Sequence, residues 1–470
     1  MAAPSTPPVF DWSNSSMATI MDLPAELIIA ISSYLTTPKL GEMRQYCKYI
    51  EQSLFESFAK EFFTKRQFMI EHDSLKTLVS IANHPVLSKR LGEVLISTQR
   101  RGQLISMTDT DMGRFVDAQE AVREILLASG IARELLQEAF TKLPHLQSVG
   151  VRDFDGKGRG RDGSHARWRS WGWSTYRSAG LALDKNPSQV FALVMAALGG
   201  SRISKLEVIL RHSDGLSPNA FYVSTSTAPM LAEAKSLMLD VGQFSQQRDL
   251  PGDKVHAEAL RRFLASSSDL ETLRLNFRNS AGQPGAEKIL DWLGEPVQSL
   301  RAQSTPPMLF AKLTQLDIGY AVVESSTLLA VLAKFALISF SVWKVEFLCI
   351  NADSRTASDG CLQFLADLAS VLQLASSVKS VKIGHITQIF HGLGNWSRQC
   401  ISFVPEGSKS DDQDCELQGE VTFRARYGLS VAQWLESVAD RVWDWTVPQA
   451  NRPDSSDEES VLEDDDGDDE

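Results

Sequence analysis

Hydrophobic positions early in the chain fall at helical spacing. Leu27, Ile28, Ile31 and Leu35 form one stripe, and Leu40, Met43, Cys47, Ile50 and Leu54 form a second. The spacing predicts two short amphipathic helices. Pro24 is expected in the first turn of one, where its missing N–H costs nothing. Thr37-Pro38 supplies an N-cap and a first-turn proline for the other. A third helical face carries Phe55, Phe58, Ala59 and Phe62.

From about residue 75 the texture changes, and a strand-like pattern, apolar-x-x-apolar-x-apolar, recurs. It reads Leu91-x-x-Val94-x-Ile96, Leu146-x-x-Val149-x-Val151, Ile203-x-x-Leu206-x-Val208 and Ala234-x-x-Leu237-x-Leu239. Leu270-x-x-Leu273-x-Leu275, Leu313-x-x-Leu316-x-Ile318, Val345-x-x-Leu348-x-Ile350 and Val378-x-x-Val381-x-Ile383 continue it, and Val421, Phe423 and Ala425 read as a closing strand. Helical stretches lie between, at 112–140, 188–199, 254–266, 285–293, 325–338, 358–375 and 429–443. A strand plus a returning helix cannot bury its apolar side except against the next unit, which is the logic of a leucine-rich repeat. Successive starts are 31 to 57 residues apart, longer and less even than standard repeats, and the asparagine that follows the strand in standard forms is missing. Two architectures use this alternation: an irregular α/β solenoid over 91–447, reached through connecting helices at 66–90, and a compact α/β domain with a parallel sheet.

The order Leu23-Pro-x-Glu26-Leu27, then Leu40, then Arg44-x-x-Cys47-Lys48 resembles the F-box. Tyr49 and Ile50 stand where many F-boxes carry a tryptophan. The resemblance implies a three-helix module over 20–65 that docks on a Skp-family adaptor and, through it, a cullin-based (SCF-type) ubiquitin ligase. Leu23, Pro24, Leu27, Ile31, Leu35, Leu40 and Met43 would then divide between the module's own core and a groove on the adaptor, with Glu26 and Arg44 as rim contacts. An F-box followed by irregular leucine-rich repeats resembles F-box proteins of filamentous fungi. Asn186-Pro-Ser-Gln-Val-Phe-Ala-Leu-Val and Asn83-His-Pro-Val-Leu are similar to recurrent pieces of those proteins. Implied with it is a non-catalytic receptor subunit that holds a protein substrate on its repeats; the alternative is a scaffold that keeps an F-box-like fold but acts outside any ligase.

Charge refines this picture in two places. Net charge is −12, but residues 454–470 hold eleven carboxylates and no Lys or Arg, so the acid is a tail (448–470) and the body is near neutral. Ser456 and Ser460 there suit acid-directed kinases. The Pro-, Ser- and Thr-rich stretch 1–19 and this tail are expected to be disordered. In 152–177, seven basic residues face three aspartates, with tryptophans interleaved. Arg159, Arg161, Arg167, Trp168, Arg169, Trp171 and Trp173 form a candidate ligand loop, with charge for phosphates and rings for bases. The competing reading is an insertion whose rings pack on the solenoid flank, and that one is preferred. Its G-x-G-x-x-G (Gly158, Gly160, Gly163) is followed by Ser-His-Ala-Arg-Trp-Arg, not by the helix a dinucleotide site needs.

Other chemistry finds little footing. His385, His391, Cys400 and Cys415 match no standard zinc spacing; no P-loop, G-x-S-x-G or H-E-x-x-H occurs. No cofactor or metal is expected. Five scattered cysteines point to reduced thiols, and neither a signal peptide nor a membrane span is read. The expected setting is cytoplasmic or nuclear.

Overall fold

The computed structural model describes residues 19–102, 121–171, 180–183, 186–242, 251–278, 286–297, 305–349, 359–373, 377–391, 396–406, 417–425 and 430–443. The segments read as a disordered N-terminus and an acidic tail therefore lie outside the described residues, apart from Thr19.

The chain begins with three helices: α1 (Ala25–Ser33), α2 (Thr37–Arg44) and α3 (Lys48–Phe63). Pro24 occupies the N-cap position of α1 and Pro38 the first turn of α2. The small core among them is Ile28, Leu40, Met43, Ile50, Leu54 and Phe62, with Leu23, Leu35, Cys47 and Phe58 packed around it.

A ten-stranded sheet follows: β1 (Lys65–Met69), β2 (Glu93–Ser97), β3 (Ser148–Arg152), β4 (Lys205–Ile209), β5 (Ser236–Gly242), β6 (Thr272–Arg278), β7 (Gln315–Gly319), β8 (Ser339–Trp343), β9 (Ser380–Gly384) and β10 (Glu420–Arg424). The strands lie side by side in chain order, each parallel to its predecessor, except that β10 runs antiparallel on β9. Monotonic order decides between the two architectures left open above. A doubly wound domain reverses its strand order at a switch point; a solenoid adds each unit to the last. This is an irregular α/β solenoid.

Register explains the sequence pattern. Leu273 of β6 pairs with Leu316 of β7, which pairs with Phe340 of β8 and then Val381 of β9. Leu275, Ile318, Val342 and Ile383 form the next row. All eight are buried, together with the first apolar residue of each motif, such as Leu270 and Leu313. Helices including His72–Asn83, Ile131–Lys142, Pro187–Ala197, Ser325–Lys334 and Val431–Ala439 cover this face, so one continuous core runs from Phe68 to Val438. The alternate positions of the strands present Gln67, Glu207, Arg274, Asp317, Ser341 and Lys382 on the opposite face.

Three expectations are corrected. Residues 66–90 are not merely connecting helices, because Lys65–Met69 is the first strand and pairs with β2. The strand after β7 is Ser339–Trp343, with Leu337, Phe340 and Val342 as its buried triplet. Glu346–Cys349, inside the expected 345–350 strand, instead joins a second sheet with Val322–Val323, Thr387–His391 and Trp396–Cys400. The corner between the sheets is turned by Tyr320, Lys344 and His385, whose φ values are 55°, 51° and 50°. Each directly follows its strand, and three non-glycine residues in the left-handed region, at about 1–2 kcal/mol apiece, mark a repeated sharp corner.

Candidate functional site

The three-helix module divides its apolar residues between two sides. Ile28 (0% exposed), Leu40 and Met43 face the core. Leu27 and Ile31 do not, being 50% and 43% exposed, and Tyr34 on the same face is 88% exposed. These three sit at i, i+4 and i+7 of α1, one stripe along the helix. The stripe read as Leu27, Ile28, Ile31 and Leu35 is therefore two faces: Ile28 and half-buried Leu35 turn inward, Leu27 and Ile31 outward.

Ile20, Met21, Ile29, Tyr46 and Tyr49 add to the exposed apolar set. Met21 is drawn to the loop after α2 by a 3.3 Å contact between its Sδ and Cys47 Sγ. Tyr49 donates from its hydroxyl to the Leu23 carbonyl at 2.9 Å, which pins the Leu23-Pro24 entry to α3. Eight of the sixteen exposed large hydrophobic side chains described lie between residues 20 and 49. Such density on one small module makes it the candidate contact surface, whereas single exposed hydrophobics elsewhere need no explanation. Pro24 and Glu26 are exposed beside it.

Arg44, expected at the rim, is turned onto its own module. Its guanidinium lies 3.6 Å from the centroid of the Phe58 ring and 3.8 Å from Glu51. Burial holds its pKa below the usual arginine range. Stacking of the guanidinium plane on the ring offsets part of that desolvation.

The basic insertion has a definite place. Arg161 grips Glu61 of α3 through two contacts of 2.6 Å, and its Nη1 donates to the carbonyls of Ser32 and Leu35 at 3.0 and 2.8 Å. Ser32 lies in the last turn of α1 and Leu35 just past its C-cap, so the cation satisfies carbonyls at this helix end both as donor and against the helix dipole. Asp162 accepts from the backbone N–H of Thr37 (2.7 Å) and from its hydroxyl (2.6 Å). It thereby caps α2, whose own N-cap residue Thr36 makes no side-chain cap bond. Arg159 stacks on Phe62 at 4.0 Å.

The other end of the insertion holds the solenoid. Gln67 donates to the Phe154 carbonyl and Ser170 Oγ, Ser74 donates to the Trp171 carbonyl, and the Trp171 N–H donates to the Gln67 carbonyl. Trp171 thus runs along the outer side of β1, covering what would be an open sheet edge. Arg66 lies over the Trp171 ring at 5.3 Å. Trp168 packs over Gly156, where a Cβ would come within 3.2 Å of its ring. Arg167 is exposed on a two-residue ladder with Lys157, and Arg169 lies 3.9 Å from Asp155. Trp173 is outside the described residues, as is Cys415 of the zinc set.

Arg161 and Trp171 thus join the insertion to the module and to β1. Glu61 and Asp162 are the residues that sequence reasoning missed. No local signal marks them, because Thr36-Thr37-Pro38 reads as a competent helix start in sequence.

No family model matches the chain, and no curated protein does. Among solved structures the chain is similar to that of the Rad7 and Elc1 complex in yeast, at 12% identity over 76% of this chain and 75% of that one, with a TM-score of 0.26. A likeness at that score carries no argument about family or function.

Proposed function

We propose that the protein is a non-catalytic substrate receptor of a cullin-based ubiquitin ligase, its N-terminal module docking on a Skp-family adaptor as the F-box resemblance implies. One observation carries the reading: the outer stripe of Leu27, Ile31 and Tyr34 on a module whose core is already closed by other residues. That stripe has nothing to gain from the fold and everything to gain from a partner groove, since burying one leucine or isoleucine contributes about 1.5–3 kcal/mol.

The substrate would lie on the polar strand face or its loops. Arg278 and Lys344 flank the Tyr320 ring there, at 5.1 and 5.4 Å, and Lys382 lies 4.3 Å from the Trp343 ring. Such a surface suits a protein segment with acidic and aromatic side chains. The role in turnover is proximity: a lysine of the bound substrate is held near the ligase's charged ubiquitin carrier at raised effective concentration. The proposed setting is cytoplasmic or nuclear.

Co-expression tests it. A Skp-family adaptor should co-purify with the wild-type chain, and Leu27→Asp with Ile31→Asp should reduce recovery more than tenfold while the thermal unfolding midpoint stays put. Equal recovery with the double variant, or none with wild type, rejects the proposal.

A further inference from the structure

Where the module meets the solenoid, α2, α3, β1 and the insertion enclose a cleft of about 720 Å³. Arg44, Lys48, Arg66 and Arg159 line it, with Glu51 as the one carboxylate in its wall. The charge is poorly compensated. Arg44 reaches Glu51 only at 3.8 Å, and Arg159 reaches Glu61 only at 4.0 Å, while Glu61 is already held bidentately by Arg161. Arg66 has no carboxylate partner among the described residues; its neighbours are the rings of Phe63 and Trp171. The Nε atoms of Arg44 and Arg66 are buried without a hydrogen-bond partner. Burial lowers the pKa of all three guanidiniums, and Arg66 falls to about 10 with the Arg159 charge adding to the effect. Proteins rarely gather half-buried like charges without a counter-charge, because desolvation is then uncompensated.

The way these arginines are held matters as much as their number. Arg44 lies on Phe58 and Arg159 on Phe62, and the two rings stack on each other at 4.6 Å. Stacking occupies the face of a guanidinium and leaves its in-plane N–H groups available. Those N–H forks match the paired oxygens of a tetrahedral oxyanion.

We propose that the cleft is a binding site for a phosphate group, free or on a small polyphosphate, held by Arg44, Arg66 and Arg159 with Lys48 at its wall. The occupant would bridge α2, α3, β1 and the insertion, and so tie the module to the repeats. The site stands apart from the docking stripe and does not depend on the adaptor reading.

The test uses the full chain with two probes, inorganic phosphate and tripolyphosphate, against potassium chloride at matched ionic strength. Both phosphates should raise the unfolding midpoint and chloride should not. The probe effective at lower concentration separates a single-phosphate site from a polyphosphate site. Arg66→Gln should weaken binding about 10- to 100-fold, the range for losing a charge-assisted hydrogen bond, and Arg66→Lys, which keeps the charge without the fork, should also weaken it. Arg202→Gln, a fully folded surface control (86% exposed side chain), should bind as wild type. A readout that needs no variant is phenylglyoxal labelling followed by mass spectrometry, in which phosphate should shield Arg44 and Arg159 but not Arg202. No shift with either phosphate, an equal shift with chloride, or unshielded labelling of Arg44 and Arg159 overturns the proposal.

Discussion

The N-terminal module and the repeat body solve the same problem in opposite ways. In the body, each unit's apolar residues are matched by the next unit's, so rows such as Leu273–Leu316–Phe340–Val381 are wholly internal and the exposed strand face is polar. In the module, six buried side chains suffice to close the core, and the outer face of α1 is left apolar. A repeat completes itself by growing. A forty-residue bundle cannot, so it leaves surplus hydrophobic surface exposed, which is where the proposed partner would sit.

Substitutions can break this contrast, and the largest effect belongs in the body. Glu207 lies buried on the strand face and takes hydrogen bonds from Arg152 and Lys205. Burial alone would raise its pKa, but those two cations outweigh it and hold the carboxyl down at about 2. Arg152→Ala leaves that buried carboxylate with Lys205 as its one cation partner and should cost up to about 3–5 kcal/mol, read from urea unfolding. A depressed folded-state pKa means the stabilisation is present above the unfolded value near 4.5 and is lost as pH falls from there toward 2. An acid titration of the wild type should therefore show a loss in that window that is smaller in Arg152→Ala, where Lys205 alone holds the carboxyl down.

Next comes a core row. Leu273→Ala removes a side chain with 0% exposure and should cost about 2–5 kcal/mol, without touching adaptor recovery except through unfolding. The clasp between the two regions is worth less. Asp162→Ala removes the cap of α2 and should cost about 1 kcal/mol, with faster proteolysis at the junction as its more sensitive sign. Smallest on stability is the docking stripe: Leu27→Ala should stay within about 0.5 kcal/mol of wild type in the same urea titration. A core-sized loss there would mean that the outer face of α1 is packed in solution, and the contrast would fail.

Much of this was legible because the repeat rows are internal: a buried residue at every second strand position leaves a periodic trace. Two strands of the ten-stranded sheet escaped for local reasons. Lys65–Met69 reads Lys-Arg-Gln-Phe-Met, with Arg66 at an inward position where the other strands carry Val, Leu or Phe; at the end of the stack a guanidinium can lie against Phe63 and Trp171 instead of a next strand. Ser339–Trp343 alternates serine with Phe340 and Val342 and was outshone by the denser apolar run behind it, which belongs to the second sheet. At the candidate site, Leu27 and Ile28 are adjacent and equally apolar, so only the packing of α3 against α1 separates the inner from the outer. The clasp was illegible because Thr37 and Asp162 lie 125 residues apart, and nothing local announces that a loop aspartate will finish a distant helix.

The antiparallel final strand has a consequence for length. Parallel growth stops where β10 reverses on β9, and the other end is fixed by Trp171 along β1. Between those stops the sheet is a ruler of nine steps, each about 4.8 Å, or roughly 43 Å of contour. A substrate seated near Trp343, as proposed, would be held a set number of steps from the N-terminal module, and duplicating one middle repeat would lengthen that span by a single graduation while leaving both stops in place.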